Sequence, residues 1–347
     1  MTMLNMEKMV TPMKTKMPFH MFSCLLLAVA IVAIGIAVPT GSAQAGAIIT
    51  NGTITMGVNE EGHLNTPFAG DPLGIGFMGL RYNPTGAAST EPGCQCEGWG
   101  VSNGFVSGYA NVSSDGGAVG LTVNSFGSDA STATSNVTAA GIFNVIHDYH
   151  PSASLNLYQV DVSITNISEI AQALLYRRVM DWDIYPTPFD EFVTIVNSSA
   201  TVFRTDTNGF NSANPLSFSS FAPGPMPSNG FTPVIDAGPS DHGALFDFDF
   251  GMLDAGATKT FTTFYGAGGT ELEVLAALAV VSAENVYSFG QANVTDGPGL
   301  GVPNTFVFAF KGVGGTVVPN PVPEPASFLL FGSGLAGLAA WRRKKAA

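Results

Sequence analysis

The chain is written in short runs with a two-residue period. Val160-Asp161-Val162-Ser163-Ile164-Thr165 alternates apolar and polar side chains, and Phe246-Asp247-Phe248-Asp249-Phe250 does so with aromatics on one side. Phe306-Val307-Phe308-Ala309-Phe310 repeats the aromatic spacing. Successive side chains of a strand point to opposite faces, so each run predicts a strand with one strongly apolar face. Comparable runs lie near residues 117–126, 141–149, 176–184, 191–196, 200–205 and 258–265. Gly, Asn, Ser and Pro punctuate them, as turns between antiparallel strands require. The pattern predicts an all-β chain folded as an antiparallel β-sandwich, a single domain over residues 46–316.

Two stretches depart from the alternation. Thr270-Glu271-Leu272-Glu273 is a capping box, and Leu275, Leu278 and Val281 follow at helical spacing. This predicts one helix, running to about residue 283 and lying across an edge or end of a sheet. Residues 212–239 hold six prolines and read as a long excursion outside the core, and residues 317–325 read as a Pro-rich linker.

The ends have a different texture. Lys8, Lys14 and Lys16 precede an apolar run over residues 21–38, followed by Pro39 and the small-residue triplet Ala43-Gln44-Ala45. That order is the layout of a secretory signal peptide, predicting export through the Sec machinery and cleavage by signal peptidase after residue 45. At the other end Pro323-Glu324-Pro325 stands before an apolar segment, 326–341, and the basic cluster Arg342-Arg343-Lys344-Lys345. Sixteen helical residues span about 24 Å, short against a hydrocarbon core of about 30 Å, and the basic cluster predicts a cytoplasmic end.

Tripeptide, short apolar helix and basic cluster in this order resemble the PEP-CTERM sorting tail of Gram-negative bacteria, also called the ice-binding protein C-terminal domain. The resemblance implies recognition by an exosortase, transient anchoring through the 326–347 tail, cleavage near Pro323-Glu324-Pro325, and delivery to the cell surface or extracellular matrix. It covers the tail alone and implies no activity for the domain before it.

Charge and cysteines sharpen this picture. Only 11% of the chain is charged against 46% hydrophobic, which excludes a coiled coil and disfavours a helical bundle. Between the two end signals, residues 46–322 carry six basic and 24 acidic residues, a formal charge of −18. Such a surface repels nucleic acid and attracts divalent cations. Cys94 and Cys96, one residue apart, are the cysteines left outside the signal segment. They could bridge to each other in an oxidising compartment, pair between molecules, or remain free thiols.

The candidate chemistry is acidic. Asp181 and Asp183 flank Trp182, and Asp247 and Asp249 flank Phe248, so each pair shares a strand face. If those strands were neighbours, four carboxylates would converge and call for a cation, Ca²⁺ being the natural one outside cells. Asp190, Glu191 and Asp254 could add to it. Arg177, on the same face as Asp181, is the rival neutraliser, and a catalytic acid pair is a third reading. His147 and His150 point to opposite faces and predict no zinc site. Gly74-Ile75-Gly76-Phe77-Met78-Gly79 spells a dinucleotide fingerprint without its strand and helix. With no catalytic residues or cofactor assigned, these features point to a non-enzymatic surface or matrix protein associated with exopolysaccharide or biofilm. The alternative is a secreted carbohydrate-binding or carbohydrate-active protein, with Trp99, Tyr109, Trp182 and Tyr185 as stacking platforms.

Overall fold

A computed structural model describes residues 46–111, 117–209, 212–217, 233–294 and 304–320. The signal segment 1–45, the motif Pro323-Glu324-Pro325, the 326–341 helix and the cluster Arg342–Lys345 lie outside them. Among the described residues no helix is long and apolar enough to cross a membrane.

The alternating runs form antiparallel strands throughout. The larger sheet has nine, in the order Leu121–Ser128, Ala133–Ala139, Phe143–Pro151, Leu157–Asn166, Thr258–Gly268, Thr305–Lys311, Val286–Ala292, Glu191–Asn197 and Val234–Ser240. The second has six, in the order Val202–Asp206, Gly243–Leu253, Gln172–Asp181, Gly98–Ser102, Ser107–Asn111 and Gly117–Val119. Their aromatic faces meet. Phe246 and Phe248 of the six-stranded sheet stand 5.5 Å from Phe308 and 4.8 Å from Phe310 of the nine-stranded one, ring centre to ring centre. Tyr176 meets Phe261 edge-on at 5.0 Å, an arrangement aromatic rings favour when buried. A smaller sheet, Gly46–Thr50, Ile54–Asn59, Leu80–Tyr82 and Ala87–Ala88, contributes to the same core.

The helix Glu271–Val280 begins where the capping box places it. Thr270 Oγ1 accepts from the Glu273 amide, and Glu273 reaches back to the amide of Gly269, one residue before the cap. Its position differs from the expected one. Val274, Ala277 and Leu278 pack on Phe264, Phe289 and Val307, so the helix covers the outer face of the nine-stranded sheet. The reason is in the strand Thr305–Lys311, which is apolar on both sides. Phe306, Phe308 and Phe310 enter the inter-sheet core, whereas Val307 and Ala309 need a second cover.

Two expected boundaries move. Val318 is buried, and its amide donates to Ala283, so the packed domain continues past residue 316. Within the 212–239 excursion, Val234–Ser240 is an edge strand, and the carbonyls of Ser212 and Ser217 cap Arg177.

Candidate functional site

The strand Gln172–Asp181 carries three buried charged side chains, Arg177, Arg178 and Asp181, and its register decides which charges meet. Arg177 lies opposite Asp247, and Asp181 lies opposite Gly243. Arg177 grips Asp247 with two parallel hydrogen bonds, Nε to Oδ1 at 2.7 Å and Nη2 to Oδ2 at 2.8 Å, and both side chains are fully buried. Asp249 lies further along, exposed to solvent, where it accepts from the amide of Gly251. Four residues of strand separate Asp181 from the Arg177–Asp247 rung, about 13 Å. The four-carboxylate site expected from Asp181, Asp183, Asp247 and Asp249 is therefore not formed. Asp247 is neutralised by arginine and Asp249 is hydrated.

Asp181 and Asp183 find other neighbours. The strand ends at Asp181, Trp182 turns into the core, and its indole donates to Ser288 Oγ at 2.9 Å. That places Asp181 and Asp183 on the opposite side, facing the turn at Asp241-His242 and the 93–96 loop. Two bonds hold these segments. The Trp182 amide donates to the His242 carbonyl at 3.1 Å, and the Asp181 amide to the Cys96 carbonyl at 3.3 Å. Carboxylate oxygens of Asp181, Asp183 and Asp241 lie within 4.8 Å of one another. Gly93, at a positive φ of 69°, packs its backbone so closely on the Asp183 carboxylate that a Cβ there would collide with it. Glu191 closes the group. It is fully buried, its Oε1 accepts from the amide of Ile184 at 3.1 Å, and its Oε2 has no partner.

The outstanding property of this cluster is what it lacks. Asp181 Oδ1, both oxygens of Asp183, Glu191 Oε2 and Asp241 Oδ1 are buried without a hydrogen-bond partner. Among the described residues no ion pair reaches any of the four acids. Burial, reinforced by Asp183 and Asp241, drives the Asp181 carboxyl well above the ordinary carboxylate range. Asp183 is raised as well, by burial first. Burial and then the charge of Asp183 push Glu191 up to about 9. Four acids held this way are either protonated or matched to a cation that the polypeptide does not supply.

Cys94 and Cys96 are bonded to each other, and Cys94 Sγ lies 3.2 Å from Asp181 Oδ2. Asp241 and the approach of Cys94 escaped sequence reasoning, because only the register of Gln172–Asp181 against Gly243–Leu253 brings the 241–242 connection between the two sheets beside the strand end. Asp190 bonds Asn293 instead, and Asp254 is exposed.

The remaining candidates sort themselves by burial. Trp99 and Trp182 are fully buried and Tyr109 is half-buried, so of the four expected platforms only Tyr185, 49% exposed, faces outward. His147 lies buried against Trp99, whereas the half-exposed His150 faces Asp161.

Comparison with known proteins informs the tail and little else. Residues 321–344 match the PEP-CTERM protein-sorting motif, as the tail's resemblance implied. A motif of this kind targets a protein to an exosortase and to the outside of the cell. No curated protein matches the chain. Among solved structures, a galactose mutarotase-like protein from Lactobacillus casei ATCC 334 aligns at 10% identity and a TM-score of 0.27, over 76% of this chain and 87% of its own. A galactose mutarotase related enzyme from Lactobacillus acidophilus aligns at 10% identity and a TM-score of 0.24, over 78% and 99%. Overlaps this loose do not bear on the chemistry of the acid cluster.

Proposed function

We propose that this is an exported, exosortase-processed protein whose β-domain serves as a non-enzymatic component of the cell surface or extracellular matrix of a Gram-negative bacterium. The observation that carries the reading is the sorting motif over residues 321–344 behind an antiparallel β-domain. The signal-peptide pattern of residues 1–45 agrees with it, and so does the −18 charge of residues 46–322, which suits a hydrated matrix rich in divalent cations. In this reading the tail holds the protein at the membrane until cleavage near Pro323-Glu324-Pro325, and the released domain joins exopolysaccharide. Intact mass of the surface-exposed form tests it. The expected species begins near residue 46 and ends near residue 323, and one still ending in the 342–347 segment overturns the processing step.

A second reading, carbohydrate binding, rests on one feature. Exposed Tyr185 borders a cleft of about 400 Å³ that it shares with Pro72, Leu73, Thr85 and Pro186, and an aromatic ring beside a small cleft can stack on a sugar. A glycan array and hydrolysis screen on the exported protein separate the two readings. Saturable binding lost in Tyr185→Ala favours the second.

A further inference from the structure

The acid cluster differs from ordinary surface carboxylates in two independent ways. The first is convergence: oxygens from Asp181, Asp183 and Asp241 come within 4.8 Å of one another from two separate segments of the chain. The second is Glu191, from a different strand. It is fully buried, spends one oxygen on the amide of Ile184, the residue next to Asp183, and leaves the other without a partner. A buried acceptor without a donor is destabilising, more so when charged, and these four acids hold five such oxygens. A positive side chain would relieve them, and a few residues along the same strand Arg177 and Arg178 relieve Asp247 and Glu97 in that way.

We infer that Asp181, Asp183 and Asp241, with Glu191 beside them, form a binding site for one divalent cation, and we assign Ca²⁺ as its occupant. The donors are all oxygen, which selects a hard cation over a soft one. With Cys94 and Cys96 bonded to each other, their sulfurs are not thiolate ligands. Calcium–oxygen distances of about 2.3–2.6 Å give a shell roughly 4.6–5.2 Å across, which accommodates oxygens no more than 4.8 Å apart. Asp241 is only half-buried, so the ion has a route in and room for water to complete six to eight ligands. The ion would fasten the strand end at Asp181 to the 241–243 turn.

The test uses protein purified from the cells that make it, treated with chelator and titrated with Ca²⁺, Mg²⁺ and Zn²⁺ in turn. Native mass spectrometry is expected to show one Ca²⁺ per chain. At about a hundredfold excess over Kd the melting temperature is expected to rise by roughly 4–8 °C. Asp183→Asn is expected to abolish that rise and, in chelator, to melt at or above the unsubstituted protein, because it removes a repelled charge rather than a support. Asp249→Asn is the control and binds normally. Absence of stoichiometric Ca²⁺ at millimolar concentration overturns the assignment, as does binding that survives in Asp183→Asn. Zn²⁺ taken up only after reduction, and lost in Cys94→Ser, would replace it with a thiolate site. Mass spectrometry of the unsubstituted protein decides the matter even where a variant does not fold, and each readout is independent of whether the tail is processed.

Discussion

Two regions of one strand treat buried charge in opposite ways. In its middle, Arg178 turns inward and Arg177 turns outward under the Ser212–Ser217 segment. Arg178 meets Glu97 through Nε at 2.6 Å and Nη2 at 2.5 Å, and Glu97 also accepts from the Leu64 amide and the Tyr265 hydroxyl. Arg178 stands 5.2 Å from the centre of the Tyr265 ring, a favourable place for a cation. At the end of the strand, Asp181 and Asp183 gather two further acids and no base. Strand geometry is the same in both regions, so the backbone is not the cause. What differs is the cross-strand partner. The register puts Asp247 opposite Arg177, and it puts Gly243 and the acidic turn before it opposite Asp181. In the middle of the strand the polypeptide matches its own charges, and at the end they are matched only by a proton or an ion.

The largest effect should come from breaking the compensated region. Glu97→Ala leaves Arg178 buried with its charge unmatched, and removing one member of a buried pair costs about 3–5 kcal/mol. Urea unfolding at neutral pH measures this. A loss below about 1 kcal/mol would mean that the network around Arg178 is not held by charge.

A second effect, with opposite signs in the two regions, should appear in the pH dependence of the chelated protein. Burial, then the nearby Arg178 charge, lowers His63 from 6.5 to about 3, and His147 is lowered for the same reasons. Between those values the unfolded chain takes up a proton that the folded protein refuses. Stability is therefore lost as pH falls from about 6.5, by about 1.4 kcal/mol per pH unit for each such group. Glu191 is displaced the other way, from 4.5 to about 9, so the folded protein keeps a proton the unfolded chain has released. Its contribution is lost as pH rises across that interval. Melting curves in chelator should peak between about pH 5 and 6.5, and Glu191→Gln should flatten the alkaline side alone. An alkaline slope unchanged by that substitution would place its origin elsewhere.

The smallest effect belongs to Asp249. With its side chain exposed and accepting from its own turn, it should change stability by no more than about 0.5 kcal/mol when replaced by Asn. A larger thermal shift would show that the exposed side of Gly243–Leu253 communicates with the buried acids.

Much of the architecture was legible along the chain because strand periodicity is local. Alternation in 160–165 and 246–250, the capping box at Thr270, and the inward turn of Trp182 between two acids all follow from which side a residue faces. The double-sided burial of Thr305–Lys311 was legible too, since Val307 and Ala309 between phenylalanines leave no polar face for water. Read that way, the strand would have placed the helix over the sheet rather than at its edge.

The sequence by itself determined that the chain alternates like an antiparallel sheet protein, carries a sorting tail and holds an acidic domain, because composition, period and linear motifs are properties of neighbours in the chain. Which acids meet was decided only by tertiary structure. A one-residue change of register would turn Asp181 to the other face, and no local pattern in 181–183 and 241–243 encodes their distance. Pairing between strands some 60 to 80 residues apart gave Asp247 an arginine and gave Asp181 another acid, and that difference separates a core with matched charges from a site that calls for a ligand.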